Sequence, residues 1–188
     1  MKIKFKILNL GTTIFATMSH LANKENAINL SQGFPDFHCH PDLIHIINQH
    51  MQAGHNQYAQ MQGILSLREK LAEKIETIYG AKYNPDTEIT ITAGATEALF
   101  AAITAVVHPG EEVIVFEPWY DAYVPVIQYN QGIPVYIKMK QPDYNINWDE
   151  VEKAINDRTR LIIFNSPHNP SGSILNKTDI DQLIRLIK

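Results

Sequence analysis

Two short runs, EVIVFEP at 112–118 and RLIIFNSP at 160–167, constrain the fold more than anything else in the chain. Both begin almost wholly apolar, end in turn residues, and lead into longer segments with helical spacing. A strand covered on one face alternates apolar and polar residues, whereas one covered on both faces does not. Apolar strands separated by helical stretches predict a mostly parallel sheet with helical crossovers, an α/β fold.

The same rhythm extends along the chain. After an irregular start, Pro41 opens a predicted helix, PDLIHIINQHMQ, which Gly54 closes. A second runs from about Ile64 to Tyr79, with Leu67, Leu71, Ile75 and Ile78 on one stripe and Gly80 as its stop. EITITA at 88–93 reads as a strand, ATEALFAAITAVV as a helix, IPVYIKM as a strand and WDEVEKAIN as a helix. Helices are also expected from about Tyr120 to Tyr129 and from about Lys177 onward. REKLAEK, beginning at Arg68, reads as the wet face of an amphipathic helix.

Composition narrows the function classes. The chain has 188 residues and a formal charge of −4, with 45% hydrophobic residues. That suits one packed domain with at most a small appendage, and argues against a nucleic-acid binder. A single cysteine, Cys39, excludes an internal disulfide and points to a reducing compartment. MKIKFKILNL is too interrupted for a signal peptide, and no long apolar stretch is available to span a bilayer. A cytoplasmic protein without membrane partners is expected. His38, Cys39, His40, His45, His50 and His55 invite a metal reading, but five-residue steps rotate about 140° on a helix, so no metal site is expected.

In such sheets ligands bind beyond the carboxyl ends of the strands. Three ends carry distinctive residues. EITITA leads through Gly94-Ala95-Thr96 into a helix, whose start offers N–H groups to a phosphate; the plain alternative makes Thr96 an N-cap only. EVIVFEP ends in Pro118-Trp119-Tyr120, an aromatic wall for a planar ring or simply core at a helix start. RLIIFNSP ends in His168-Asn169-Pro170-Ser171-Gly172, a tight turn that can aim an amide at a ligand or serve only as a turn. Together they suit a planar phosphorylated ring.

Five segments in series give the chain a family resemblance: NLSQGFPDF (29–37), NQYAQMQGILSLREKLA (56–72), TAGATEALFAA (92–102), EPWYDAY (117–123) and SPHNPSG (166–172). It resembles the class I/II aminotransferases among the fold-type I pyridoxal-phosphate enzymes, closest to the methionine and kynurenine branch. LGTTIF and SQGFPDF are similar to the bacterial methionine-preferring members.

The resemblance implies pyridoxal 5'-phosphate as cofactor, amino acid and 2-oxo acid as substrates, and a homodimer. It places the phosphate on Ala95 and Thr96, with Gly94 as spacer, and the ring-stacking aromatic at Tyr120. Asn169 would bond the ring's phenolic oxygen and the substrate carboxylate. Tyr58 would reach the phosphate across the dimer interface, and Gly33 would lie near the substrate carboxylate. Residues 1–40 would belong to the small, substrate domain and 41–188 to a partial large domain. Trp119 and Ser171 depart from the usual pattern, the first in a way that alters the pocket wall.

The family's Schiff-base lysine, its acidic partner of the pyridine nitrogen and its carboxylate-clamping arginine follow the Asn169 turn at distances this chain does not reach. Lys177 and Lys188 sit on what reads as an exposed helix, unsuited to that lysine's role. No catalytic residue is therefore assigned within residues 1–188, and these residues alone are expected to be inactive. By the family pattern, later strands lie between the first four, so an incomplete sheet with separated strands is expected. A carbon–sulfur lyase of the same fold and a non-catalytic complementation partner are the alternative readings.

Overall fold

The computed structural model describes residues 11–33 and 35–188; the basic N-terminal stretch and Phe34 of the first motif lie outside them. The described residues condense as two compact units, one spanning Thr12–Ala93 and the other taking in Gly94–Lys188.

The second unit is built on a parallel three-stranded sheet: β1 (Glu112–Glu117), β2 (Ile133–Lys138) and β3 (Thr159–Ile163) in the order β2-β1-β3. Helices α4 (Ala95–Val106), α5 (Tyr123–Tyr129), α6 (Trp148–Ala154) and α7 (Lys177–Ile187) surround it. β1 is central, and Val113, Ile114 and Val115 are fully buried, as its unbroken apolar run predicts. Val113 and Val115 face α4 and α5, packing with Ile103, Tyr123 and Ile127. Ile114 and Phe116 face the other way, packing with Ile137, Met139 and Val151. α6 and α7 are tied by the Trp148 indole, which donates to Asp179 Oδ1 at 2.9 Å, and by a two-pronged Arg185–Glu152 ion pair at 2.9 Å.

The first unit holds α1 (Ile14–Lys24), α2 (Pro41–Gln52) and α3 (Leu65–Tyr79). Pro41 stands at the start of α2, and Gly80 caps α3 with φ +69°, a conformation glycine adopts without strain.

The fold differs from the sequence expectation in specific places. EITITA forms no strand with the described residues, and Ile91 N–H instead donates to Gln62 O at 3.0 Å. A strand exists through its neighbours, and apolarity alone does not supply one. The three remaining strands are adjacent, so the expected separation among the first four strands is not found within this trio. α1 occupies a stretch expected to be irregular; Thr13 caps it by accepting from Ala16 N–H at 3.2 Å. α5 begins at Tyr123 instead of Tyr120, because residues 120–122 form a turn closed by Tyr123 N–H on Tyr120 O at 3.1 Å. His50 and His55 are not related by a continuous helical rotation: α2 ends at Gln52, Gly54 turns the chain, and the two rings lie 5.3 Å apart.

Candidate functional site

Because β1 and β3 are parallel neighbours, the segments after Glu117 and Ile163 leave from the same edge of the sheet. The first is Pro118-Trp119-Tyr120. Tyr120 is half-buried against the β1–α4–α5 core and meets Tyr123 edge-on, with centroids 5.6 Å apart at 78°. Its ring is thus held from behind by packing. Burial pushes the Tyr123 phenol up from its ordinary value, so this backing stays neutral. Trp119 turns to β2, its ring 4.9 Å from that of Tyr136.

The last residue of α4, Val106, accepts from Arg160 Nε of β3 at 2.7 Å, so α4 runs back to the starts of the strands. Its N-cap is Gly94 at φ +86°, a residue with no side chain of its own to cap the helix. Thr96 therefore lies inside the first turn, which removes the plain-cap reading of that residue. A Cβ on Gly94 would meet nothing within 4 Å, so the constraint there is backbone conformation and not space. Ala95 and Thr96 are exposed, and first-turn N–H groups lack partners within their own helix. Leu99, one turn on, packs against the core that also holds Tyr120. A helix start led by glycine, with the helix dipole behind it, is chemically suited to an anion.

The third segment, after β3, is locked by His168. This residue is buried; its N–H donates to Ser173 O at 2.7 Å and its carbonyl accepts from Gly172 N–H at 2.6 Å. Its Nδ1 lies 2.8 Å from Ser171 Oγ, which lies 2.9 Å from Ser173 Oγ. Ser171 thus works in holding the turn. Burial pulls the His168 imidazole below its ordinary pKa. Asn169 stands exposed beside this anchored histidine.

A cavity of about 180 Å³ lies on the opposite, α6–α7 face, lined among others by Phe116, Tyr144, Phe164 and His168. Neither Tyr120 nor Asn169 lines it, so it is not the place where the sequence-predicted residues converge.

Tyr58 and Gly33 belong to the first unit and are both exposed, Tyr58 completely. The same unit holds a residue that sequence reasoning placed wrongly. Arg68, read as part of a wet helical face, is only 3% exposed. Its Nε donates to Gly63 O at 3.1 Å and its Nη2 to Gln60 Oε1 at 3.3 Å, while Nη1 donates to Pro85 O and lies 3.5 Å from Asp86. Its position on α3 is the signal for it: Leu67, Leu71 and Ile75 flank it, and neighbouring loops offer carbonyls. Lys177 and Lys188, by contrast, are exposed as expected.

The family profile for aminotransferase class I and II matches residues 25–188. Methionine aminotransferase of Escherichia coli K12 is 47% identical over 182 residues, 97% of this chain and 47% of its own. Kynurenine–oxoglutarate transaminase of Dictyostelium discoideum is 34% identical, over 95% of this chain and 45% of its own. The crystal structure of Escherichia coli YbdL, for which a methionine aminotransferase function was identified, superposes with a TM-score of 0.95. It is 46% identical, and the match covers all of this chain and 49% of that one. N-succinyldiaminopimelate aminotransferase of Mycobacterium tuberculosis gives a TM-score of 0.91 at 35% identity, over 98% of this chain and 49% of that one. The chain thus spans about half the length of the relatives it matches, and its fold corresponds to their N-terminal portion. On family profile, sequence identity and superposed fold alike, the chain belongs to the class I and II aminotransferases.

Proposed function

We propose that residues 1–188 serve as the cofactor-anchoring N-terminal portion of a pyridoxal-phosphate-dependent aminotransferase. The observation that carries this reading is the glycine-led start of α4, whose Leu99 packs on the same core as the braced ring of Tyr120. An anion-accepting helix start beside an anchored aromatic fits a phosphorylated planar ring.

When bound, pyridoxal phosphate supplies the electron sink that allows an amino group to pass between an amino acid and a 2-oxo acid. The roles of this chain are binding and orientation. Backbone N–H groups at Ala95 and Thr96 hold the phosphate, and Tyr120 covers one face of the ring. Asn169, set by the locked His168 turn, directs its amide to the ring oxygen and the substrate carboxylate. Tyr58 reaches the phosphate across a homodimer interface, and Gly33 leaves room near the substrate carboxylate. Residues 1–40 belong to the small domain of the whole enzyme and 41–188 to its large domain. Likeness to the methionine enzymes supports methionine or another large amino acid as substrate, and the enzyme works in the cytoplasm.

Leu43, Ile47 and Met51 on α2 each stay about half exposed in this chain, which supports further subunit or chain packing there. The test is to mix pyridoxal phosphate separately with residues 1–188 and with the full-length protein, reduce with borohydride, and map labelled lysines. Scattered substoichiometric labelling of 1–188 without turnover is expected, with a single labelled lysine beyond 188 in the active full-length protein. A single stoichiometric site within 1–188, accompanied by transamination, would overturn the reading. Pyruvate plus ammonia as the only products would instead make it a carbon–sulfur lyase.

A further inference from the structure

We propose that Arg68 is the positioning residue for Tyr58, holding the 58–63 loop in the shape from which the tyrosine reaches the cofactor phosphate. This rests on the role given to Tyr58 above.

A buried guanidinium is costly unless its donors are matched. Here they are matched to two different segments. Nε takes Gly63 O and Nη2 takes Gln60 Oε1, both on the loop that carries Tyr58. Nη1 takes Pro85 O and faces Asp86, on the segment that follows α3. The planar fork therefore staples the loop to a second strand of backbone, a geometry a lysine ammonium does not reproduce.

Two further features close the same junction. Gly63 N–H donates to Gln60 O at 2.8 Å, turning the loop back on itself, and Ile91 N–H donates to Gln62 O at 3.0 Å. Gly63 sits at φ +95°, and a Cβ there would lie 2.4 Å from Ile91 Cγ1. The loop end is thus fixed at Gln60, Gln62 and Gly63, while Tyr58 itself is wholly exposed and makes none of these bonds. An exposed side chain that must meet a phosphate depends on the backbone behind it, and that backbone hangs on Arg68.

The test uses the full-length protein with Arg68→Gln, Arg68→Lys, Tyr58→Phe and the Arg68→Gln/Tyr58→Phe double variant. Pyridoxal-phosphate dissociation constants are read from absorbance and fluorescence, and amide hydrogen exchange is followed across 57–64 in the cofactor-free form. Arg68→Gln is expected to weaken cofactor binding about tenfold and to speed exchange in the loop, with Arg68→Lys intermediate. The double variant should bind no more weakly than the worse single one, since a residue acting through Tyr58 has nothing further to lose. Effects that multiply in the double variant would overturn the proposal, as would a lowered melting temperature with unchanged affinity. If Arg68→Gln fails to fold, Arg68→Lys and its double with Tyr58→Phe decide the same question. Unchanged affinity in Tyr58→Phe would show that the role given to Tyr58 is wrong, and the inference falls with it; an effect of Tyr58→Phe without one of Arg68→Gln refutes the inference alone.

Discussion

Gly63 approaches Ile91 so closely that the methyl of an alanine would lie 2.4 Å from Ile91 Cγ1 and 2.7 Å from its Cβ. The position also has φ +95°, so Gly63→Ala meets both backbone strain and a clash. A loss of about 2–4 kcal/mol is expected in urea unfolding. Gly54→Ala is the control: its φ is +86°, but nothing lies within 4 Å of the added carbon. It should cost only about 1 kcal/mol. Equal losses at the two sites would show that the Gly63–Ile91 approach is not a constraint.

The tie between α6 and α7 is testable at one atom. Trp148→Phe keeps a ring near Phe164, whose centroid lies 6.0 Å away, and deletes only the N–H that donates to Asp179. Asp179 retains the Asn176 N–H at 2.9 Å through its other oxygen, so its charge is not stranded. A cost of about 1–2 kcal/mol is expected. The exchange rate of α7 amides should rise more than that of β1 amides.

Acidification should destabilise the chain through His168. Burial holds its folded pKa below the ordinary imidazole value, so the unfolded chain binds more protons across that interval. Stability therefore rises with pH through the window between the folded value and about 6.5, and is lost as pH falls through it. Asp143 and Asp179 line the same cavity as the imidazole. Replacing His168 with Gln should flatten this part of the pH–stability curve while lowering stability at neutral pH. A curve of unchanged slope between pH 5 and 7 would refute it.

Acid has a second, lower effect. The Arg185 guanidinium holds Glu152 below the ordinary carboxylate value, so this pair supports folding at neutral pH and its support fades as pH falls through the lowered value. Both groups are exposed, and salt should screen the contribution. Glu152→Gln should remove a salt-sensitive component from acid unfolding and leave the His168 window in place.

In the full-length protein, Tyr120→Leu should weaken pyridoxal-phosphate binding by roughly threefold to tenfold, the scale of one ring-stacking contact. Tyr120→Phe should keep most of it, because the ring and its edge-on contact with Tyr123 survive. Direct titration of the cofactor, read by quenching of protein fluorescence, separates the two outcomes.

What could be read from the sequence depended on whether its cause was local. β1 was legible because Val113–Phe116 carry their own evidence of double-sided burial, and α2 and α3 because Pro41 and Gly80 mark their ends. EITITA looked equally like a strand, yet its pairing depends on residues elsewhere, and Ile91 bonds Gln62 instead. α1 went unnoticed because its cap, Thr13, lies among other polar residues that make weak signals singly. The candidate site divided the same way. Gly94, Tyr120 and Asn169 were read as turn and aromatic residues at the ends of expected strands, and the strand before Gly94 did not form. Arg68 did not, since only the three-dimensional arrangement of Gln60, Gly63 and Pro85 turns a surface-looking charge into a buried staple.

The strand order β2-β1-β3 also sets a schedule. β1 leaves the ribosome before either strand that flanks it, and its second neighbour is complete only on the order of 50 residues later, a wait of seconds at ~5–20 residues per second. Through that interval Val113–Phe116, buried in the finished sheet, has at least one edge without its strand partner. Slowing translation between Lys138 and Ile163 should therefore lower the soluble yield more than an equal pause placed after α7 begins.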